Sequence, residues 1–394
     1  MVEESIKKGY QKTEVGIIPE DWDLEKINKV SIKLLSGGTP STTNPEYWNG
    51  DIPWTRGAVL TQRYIDTGEH FISKNGLKNS ASVLIPKHNL IVASRVSIGN
   101  LSINKIDIAI NQDITGVIIN KEKILVDYLY WYLFYFLNKI IAFSQGTSIQ
   151  GFTRNELKEF LIALPSLPEQ EKIVNILSNI DELIQQIDYL ITKKKNIKQG
   201  IMQELLTGGK RLFGFIDEWE TKELGKIVDI KKGQQLNKSN LTLKGSYPVW
   251  NGGIEPSGFT HMCNELENTI TISEGGNSCG FVNFSFEKFW CGGHCYALNK
   301  PKLELSKTFL YYVLKMHEKS IMKLRVGSGL PNIQKKRITE FPIGLPPFQE
   351  QIAIAEILSD INSEIKELEN KRNKYVMIKN GMMQKLLTGE IRVK

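Results

Sequence analysis

The stretch from Leu164 to Gly208 decides the fold: LPSLPEQEKIVNILSNIDELIQQIDYLITKKKNIKQGIMQELLTG. Past its prolines the apolar residues alternate in threes and fours, at Ile173, Leu177, Ile180, Ile184, Ile187 and Ile191. That spacing lays one stripe along a helix with charged residues such as Glu182 between, the seam of a coiled coil. Pro165 and Pro168 mark its entry, and Thr207-Gly208-Gly209 its stop. Pro168 to Thr207 is 40 residues, which at 1.5 Å per residue predicts a helix about 60 Å long.

The same text recurs 181 residues later, from Leu345 to Gly389: LPPFQEQIAIAEILSDINSEIKELENKRNKYVMIKNGMMQKLLTG. Aligning Tyr128–Gly208 with Phe309–Gly389 without a gap gives 28 identities in 81 pairs, where unrelated chains would give roughly five, so the chain is internally duplicated. The second seam is Ile354, Leu358, Ile361, Ile365 and Leu368, with entry at Pro346-Pro347 and stop at Thr388-Gly389. Upstream the copies match more loosely. Trp22 pairs with Trp219, Ile52-Pro53-Trp54 resembles Tyr247-Pro248-Val249-Trp250, and Ile91-Val92-Ala93-Ser94 resembles Ile270-Thr271-Ile272-Ser273. The offset at Trp22 is 197 instead of 181, so the first copy carries about sixteen extra residues. The chain divides into a variable part at 1–165, a helix at 166–208, a second variable part at 209–346, and a second helix with a tail at 347–394.

A long helix with one apolar stripe must bury it. Its duplicate is the nearest partner, antiparallel if a pseudo-twofold axis relates the halves; a homodimeric coiled coil would use the same heptads. Beyond the seam, Ile197, Ile201 and Leu205 lie on a shifted stripe, as do Ile378, Met382 and Leu386, and Ile201, Leu205, Met382 and Leu386 above all are expected to meet a third party.

Each variable part reads as short strands punctuated by Gly, Pro and Asn, ending in one aromatic helix, over Asp127–Phe143 and over Lys307–Leu324. Tyr128, Trp131, Tyr132 and Tyr135 recur at helical spacing and are assigned to the core. The polar and basic groups gather in loops. In copy one they are Arg56, Arg95, Asn111, Gln112 and Arg154. In copy two they are Asn251, Asn277, Ser278, His294, Lys335, Lys336 and Arg337. These are the residue types of direct base readout, since Arg pairs with guanine, Asn and Gln with adenine, and Lys with phosphate. Arg95 could equally be an ion-pair partner, and Asn251 beside Gly252 could be turn chemistry.

Composition excludes other classes. With 41% hydrophobic residues the chain is not globally disordered. Tyr128–Leu137 is too short to span a bilayer, and Met1–Tyr10 is too polar for a signal segment, which points to an intracellular chain. Lys and Arg number 50 against 43 Asp and Glu, a balance that does not by itself indicate nucleic acid.

Catalytic signatures are missing. Asn44-Pro45-Glu46-Tyr47 resembles the Asn-Pro-Pro-Tyr motif of amino-methyltransferases, but has Glu at the second proline and no glycine-rich cofactor loop before it. Gly208-Gly209-Lys210-Arg211 lacks the upstream Gly and the hydroxyl of a phosphate loop. Glu220-Thr221-Lys222 is at most half of a nuclease metal site. His261, Cys263, Cys279, Cys291, His294 and Cys295 are irregularly spaced for zinc, so no metal is assigned and the cysteines are read as small core residues.

Together the repeated Gly146-Thr147, Phe160, Leu164-Pro165, Glu169-Gln170 and Leu205–Gly208, with partners 181 residues on, resemble the specificity subunit of type I restriction–modification systems. Ile52-Pro53-Trp54, Ser94-Arg95 through Ile98-Gly99, Asn111-Gln112-Asp113, and Ser273 through Phe289-Trp290-Cys291-Gly292 to Cys295-Tyr296-Ala297-Leu298 resemble the family's target-recognition domains. The resemblance implies an α/β (α+β) fold: two recognition domains, each followed by a long helix, the helices pairing as an antiparallel coiled coil. Each domain would read half of a bipartite sequence in double-stranded DNA, while the helices set the spacer and dock modification subunits, two in number. The chain would be non-catalytic and cytoplasmic. S-adenosylmethionine, ATP and Mg would reside on the partner subunits, restriction subunits being a further partner. Glu274, aligned with Arg95, stands where the family has Arg or Lys, which argues against a DNA contact there. The competing reading is a homodimeric coiled-coil adaptor whose globular domains bind protein or glycan; steep salt dependence favours DNA.

Overall fold

The computed structural model describes residues 7–143, 153–327 and 331–393, without the side chains of 138–143. Gly146-Thr147 lies outside the described residues. The chain forms two compact units, one of Met1–Gln186 with Arg372–Lys394, the other of Ile187–Lys371. These units cut across the division expected from the repeat, because each takes a stretch of both long helices, Leu167–Leu205 and Phe348–Leu387.

In the first unit a five-stranded sheet has the order Ser31–Ser36, Ile114–Ile119, Leu90–Ala93, Leu101–Asn104, Tyr64–Ile65. A four-stranded sheet has the order His70–Ile72, Ile52–Thr55, Ile108–Ile110, Val83–Ile85. The central strand Leu90–Ala93 is buried along its whole length, and its alternation sorts the core. Leu90 and Val92 face a cluster with Tyr128, Trp131 and Tyr132 of the helix Val126–Phe143, while Ile91 and Ala93 face a cluster with Ile85, Ile108 and Ile110. Period-two side-chain direction thus places a helix on one face and a second sheet on the other. Tyr128 and Tyr132 fasten the helix further: the Tyr128 hydroxyl donates to the Ala163 carbonyl at 2.7 Å, and the Ala163 amide donates to the Tyr132 hydroxyl at 3.1 Å.

The second unit repeats this plan with fewer strands. One sheet has the order Val228–Lys232, Cys295–Pro301, Thr269–Ser273, Val282–Ser285, and the other Phe259–Thr260, Tyr247–Trp250, Trp290–Cys291. Tyr296 and Leu298 face the helix side, Cys295 and Ala297 the second sheet. The aromatic helix expected over Lys307–Leu324 breaks at His317 into Lys307–Met316 and Glu318–Met322. The Glu318 carboxylate accepts from the Val282 amide at 2.8 Å and from Lys315 at 2.6 Å, which draws this turn onto the sheet edge.

The long helices pair antiparallel within each unit. In the second, Lys194 meets Glu364, Lys198 donates to Asn362 at 2.6 Å, and Arg211 meets Glu350. In the first, Lys379 meets Asp181 at 2.7 Å and Arg392 meets Glu169 at 2.8 Å. The seam residues Ile180, Ile184, Ile187, Ile191 and Ile365 are buried, while Ile361 and Leu368 are half-buried. Ile173 and Leu177 join the first unit's core, and Ile354 and Leu358 the second's.

The shifted stripe requires a correction. Leu386 is buried in the first unit's core and Leu205 in the second's, with Met382 and Ile201 packed against the same clusters. Leu205 and Leu386 are thus consumed by the chain itself and present nothing to a third party, whereas Ile201 and Met382 are half-buried and Ile197 and Ile378 on the same stripe are exposed.

Candidate nucleic-acid interface

In the first unit, three candidate segments leave strands side by side. Arg56 follows the strand Ile52–Thr55, Ser94-Arg95 follows Leu90–Ala93, and Asn111-Gln112 follows Ile108–Ile110. Arg154 opens the short helix Arg154–Glu159, which is held by a capping box between Thr153 and Glu156. Gln112 borders two hollows. One, of about 660 Å³, is lined by Thr39, Trp48, Trp54, Arg56, Asn111 and others; the second, of about 650 Å³, by Ser36, Ser94, Arg95, Thr115, Arg154 and others. Gly37 lets this corner close: a Cβ there would sit 2.0 Å from the Ile110 carbonyl oxygen.

The five residues play different parts. Arg95 and Arg154 are exposed and have no ion partner among the described residues. Gln112 is exposed, and its side-chain oxygen accepts from the Thr39 hydroxyl at 2.7 Å, leaving its amide protons to face outward partners. Arg56 is engaged by Glu69 through two hydrogen bonds. That contact, which sequence spacing did not reveal, holds the Glu69 carboxyl below its ordinary range. Asn111 is corrected: it is 1% exposed, donates to the Asp113 carboxylate at 2.8 Å and accepts from the Asp113 amide at 3.2 Å. Its side chain shapes the turn and does not reach a base.

The second unit shows the same corner with other side chains. Thr55 and Ile110 pair in parallel as Trp250 and Cys291 do, so Asn251 stands at the place of Arg56, and Gly292-Gly293-His294 at that of Asn111-Gln112-Asp113. Asn251 is half-buried and accepts from the His294 amide at 3.1 Å, which is turn chemistry. His294 and Asn277 are exposed and Ser278 is half-buried. Lys335, Lys336 and Arg337 are exposed on the short helix Lys335–Thr339, the counterpart of Arg154–Glu159.

Strand register also corrects the alignment of Glu274. Val92 pairs with Thr115 as Ile272 pairs with Tyr296, and the Ser94 amide donates to the Asp113 carbonyl as the Glu274 amide donates to that of His294. Glu274 therefore occupies the place of Ser94, not of Arg95. Its carboxylate accepts from Lys232 at 2.7 Å and from the Tyr296 hydroxyl at 3.0 Å. Lys232 and Tyr296 occupy the places of Ser36 and Thr115. Three small residues that line the arginine-flanked hollow are thus replaced by an interlocked Lys–Glu–Tyr set.

Cys279, Cys291 and Cys295 are buried and Cys263 is exposed. Among the described residues no three metal-ligating side chains gather, and none of the helices is long and apolar enough to cross a membrane. Glu220 and Lys222 pair with each other at 2.6 Å.

Comparison with known proteins agrees with this duplicated plan. A family described as the type I restriction modification DNA specificity domain matches twice, over residues 19–198 and 216–376. The type I restriction enzyme MjaIX specificity subunit of Methanocaldococcus jannaschii is 29% identical, covering 98% of this chain and 96% of its own. The putative MjaX specificity subunit of the same organism is 28% identical over 98% of each. The crystal structure of the S subunit of a type I restriction–modification system from M. genitalium superposes with a TM-score of 0.67 at 20% identity, covering 93% of this chain and 96% of that one.

Proposed function

The chain belongs to the type I restriction–modification DNA specificity family, and from that premise we propose how its two units divide the work. It is the DNA sequence-specificity subunit of such a complex, a non-catalytic component that binds DNA and assembles with other subunits of the system. Each unit reads one half of a bipartite target in double-stranded DNA. The supporting observation is one strand framework built twice, with Arg56, Gln112 and Ser94 in one copy answered by Asn251, Gly293 and Glu274 in the other. One frame with two sets of side chains suits a two-part, asymmetric sequence.

In the first unit Arg95, Gln112 and Arg154 carry the reading, because each is exposed at the second hollow. In the second, His294, Asn277, Lys336 and Arg337 are the corresponding groups. The paired helices act as a coiled-coil spacer and dock modification subunits, two per chain. Those subunits bring S-adenosylmethionine and the methyl transfer, and restriction subunits bring ATP- and Mg-dependent cleavage. The complex works in the cytoplasm.

The test is a map of methylated adenines produced by the chain together with its modification subunits. One bipartite motif is expected. Arg95→Ala is expected to relax or lose one half of it, with a cost of about 1–3 kcal/mol at the base concerned, and to leave the other half intact. A motif unchanged by Arg95→Ala and Arg154→Ala together would remove these residues from the reading set.

A further inference from the structure

In the second unit the arginine-flanked hollow is filled by Lys232, Glu274 and Tyr296, so the grip on DNA must come from elsewhere. Beside it runs a cavity of about 330 Å³ along the edge strand Val228–Lys232. Its lining includes Lys231, Lys300, Lys302 and Lys335 against one carboxylate, Asp229. Lys302 neutralises Asp229 at 3.0 Å and donates to the Gly225 carbonyl at 2.8 Å. Lys231, Lys300 and Lys335 are exposed and have no ion partner among the described residues. Three cations that the fold leaves uncompensated around one groove repel each other until an anion arrives.

The backbone supplies a second, independent observation. Val228 pairs with Pro301 and Asp229 with Asn299, so Lys300 is the extra residue of a β-bulge, and its φ is +44°. A left-handed conformation is unfavourable for a residue with a Cβ, and here it re-aims a lysine, which is what bulges do in sheets. The first unit has its bulge at the same point on the opposite strand. There Ile118 pairs with Lys33 and Ile119 with Ser31, and the extra residue is the exposed Ile32. By register Leu35 stands at the place of Lys231, and Lys33 is the one cation of that strand. Among the described residues, the first unit thus has apolar Leu35 and Ile32 where the second has Lys231 and the bulge lysine Lys300.

We infer that Lys231, Lys300 and Lys335 form a phosphodiester track, by which the second unit holds the backbone of duplex DNA without reading its sequence. This rests on the DNA-specificity reading above and assigns to one unit a sequence-independent grip. Lys335 joins the track to the reading corner, since the Ile333 amide just before it donates to the Glu274 carbonyl.

The test uses the full chain purified with its modification subunits, with binding followed by fluorescence anisotropy in a NaCl series on a target duplex and a scrambled duplex. For K231Q/K300Q/K335Q the slope of log affinity against log salt is expected to become shallower by about 0.9 for each lysine engaged. Affinity should fall by the same factor on both duplexes, and the methylated motif should not change. K231R/K300R/K335R should restore the slope, which separates lost charge from lost folding. An unchanged slope overturns the track, and so does a loss confined to the target duplex, which would make the lysines base readers. A flat salt response of the unsubstituted complex would instead overturn the DNA reading itself, and shows before any variant is made.

Discussion

Arg392 shows how much one side chain near the end of the sequence can hold. It donates twice to the Glu169 carboxylate, at 2.8 Å each, and reaches Asp21 at 2.6 and 2.9 Å, while the Trp22 indole donates to Glu169 at 3.1 Å. Arg211, Glu350 and Trp219 repeat the arrangement in the second unit. Burial pushes the Glu169 carboxyl up, but the bonds from Arg392 and Trp22 outweigh it and leave its pKa below the ordinary 4.5. A depressed carboxylate contributes stability that is present above its unfolded pKa and lost as pH falls through the folded one. The first unit should therefore weaken below about pH 4.5, and E169Q should flatten that limb in thermal melts across pH. R392A strands a buried carboxylate and should cost about 3 kcal/mol, read as a lower denaturation midpoint; no change would show that the clamp is ornamental. Glu169-Gln170 stood out in the sequence as a repeated pair, but its purpose did not. Gln170 turns out to accept from the Leu125 amide and donate to the Lys123 and Pro165 carbonyls, tying the helix start to the preceding loop.

Among the elements, the long helices were legible because burial of one stripe imposes a period that nothing else in the chain mimics. The threes and fours from Ile173 to Ile191 located the first helix, and the observed span is Leu167–Leu205. What those helices touch at their far ends was not legible, since Leu205 and Leu386 look equally apolar whether they meet a partner or the chain's own core. Strand register was lost for a related reason. Ser94 and Ser273 match by residue type, but the amide to Asp113 comes from Ser94 and that to His294 from Glu274, so the alignment slipped by one and Glu274 was set against Arg95 instead of Ser94. Asn111 misled because Asn, Gln and Asp in a row resemble a reading loop, and only the tertiary fold reveals that Asp113 occupies the asparagine. At this scale, L358A should open a cavity in the second unit's core and cost about 3 kcal/mol. Ile361→Ala, half-buried on the same helix, should cost less; equal losses would contradict the assignment of Leu358 to that core.

For the molecule as a whole, the spacer reading makes a prediction in base pairs. Removing seven residues from both long helices shortens each by about 10 Å, using 1.5 Å per residue, which is roughly three base pairs at 3.4 Å. The methylated motif should keep both halves with a spacer shortened by that amount, or binding should be lost. Intact binding with an unaltered spacer would end the idea of the helices as a ruler. Exchanging residues 1–165 for the equivalent part of a relative should alter one half of the motif only.

The interleaving of the repeats bears on how mutations in the gene express themselves. Residues 372–393 are translated after the whole of the second unit, yet they complete the first: Met383, Leu386 and Leu387 fill its core, and the Tyr10 hydroxyl donates to the Gly389 carbonyl at 2.9 Å. A premature stop after Lys371 should therefore injure the half that was synthesised first and spare the half just finished. During synthesis, too, the first unit waits with an open core until the ribosome has delivered the last codons for it.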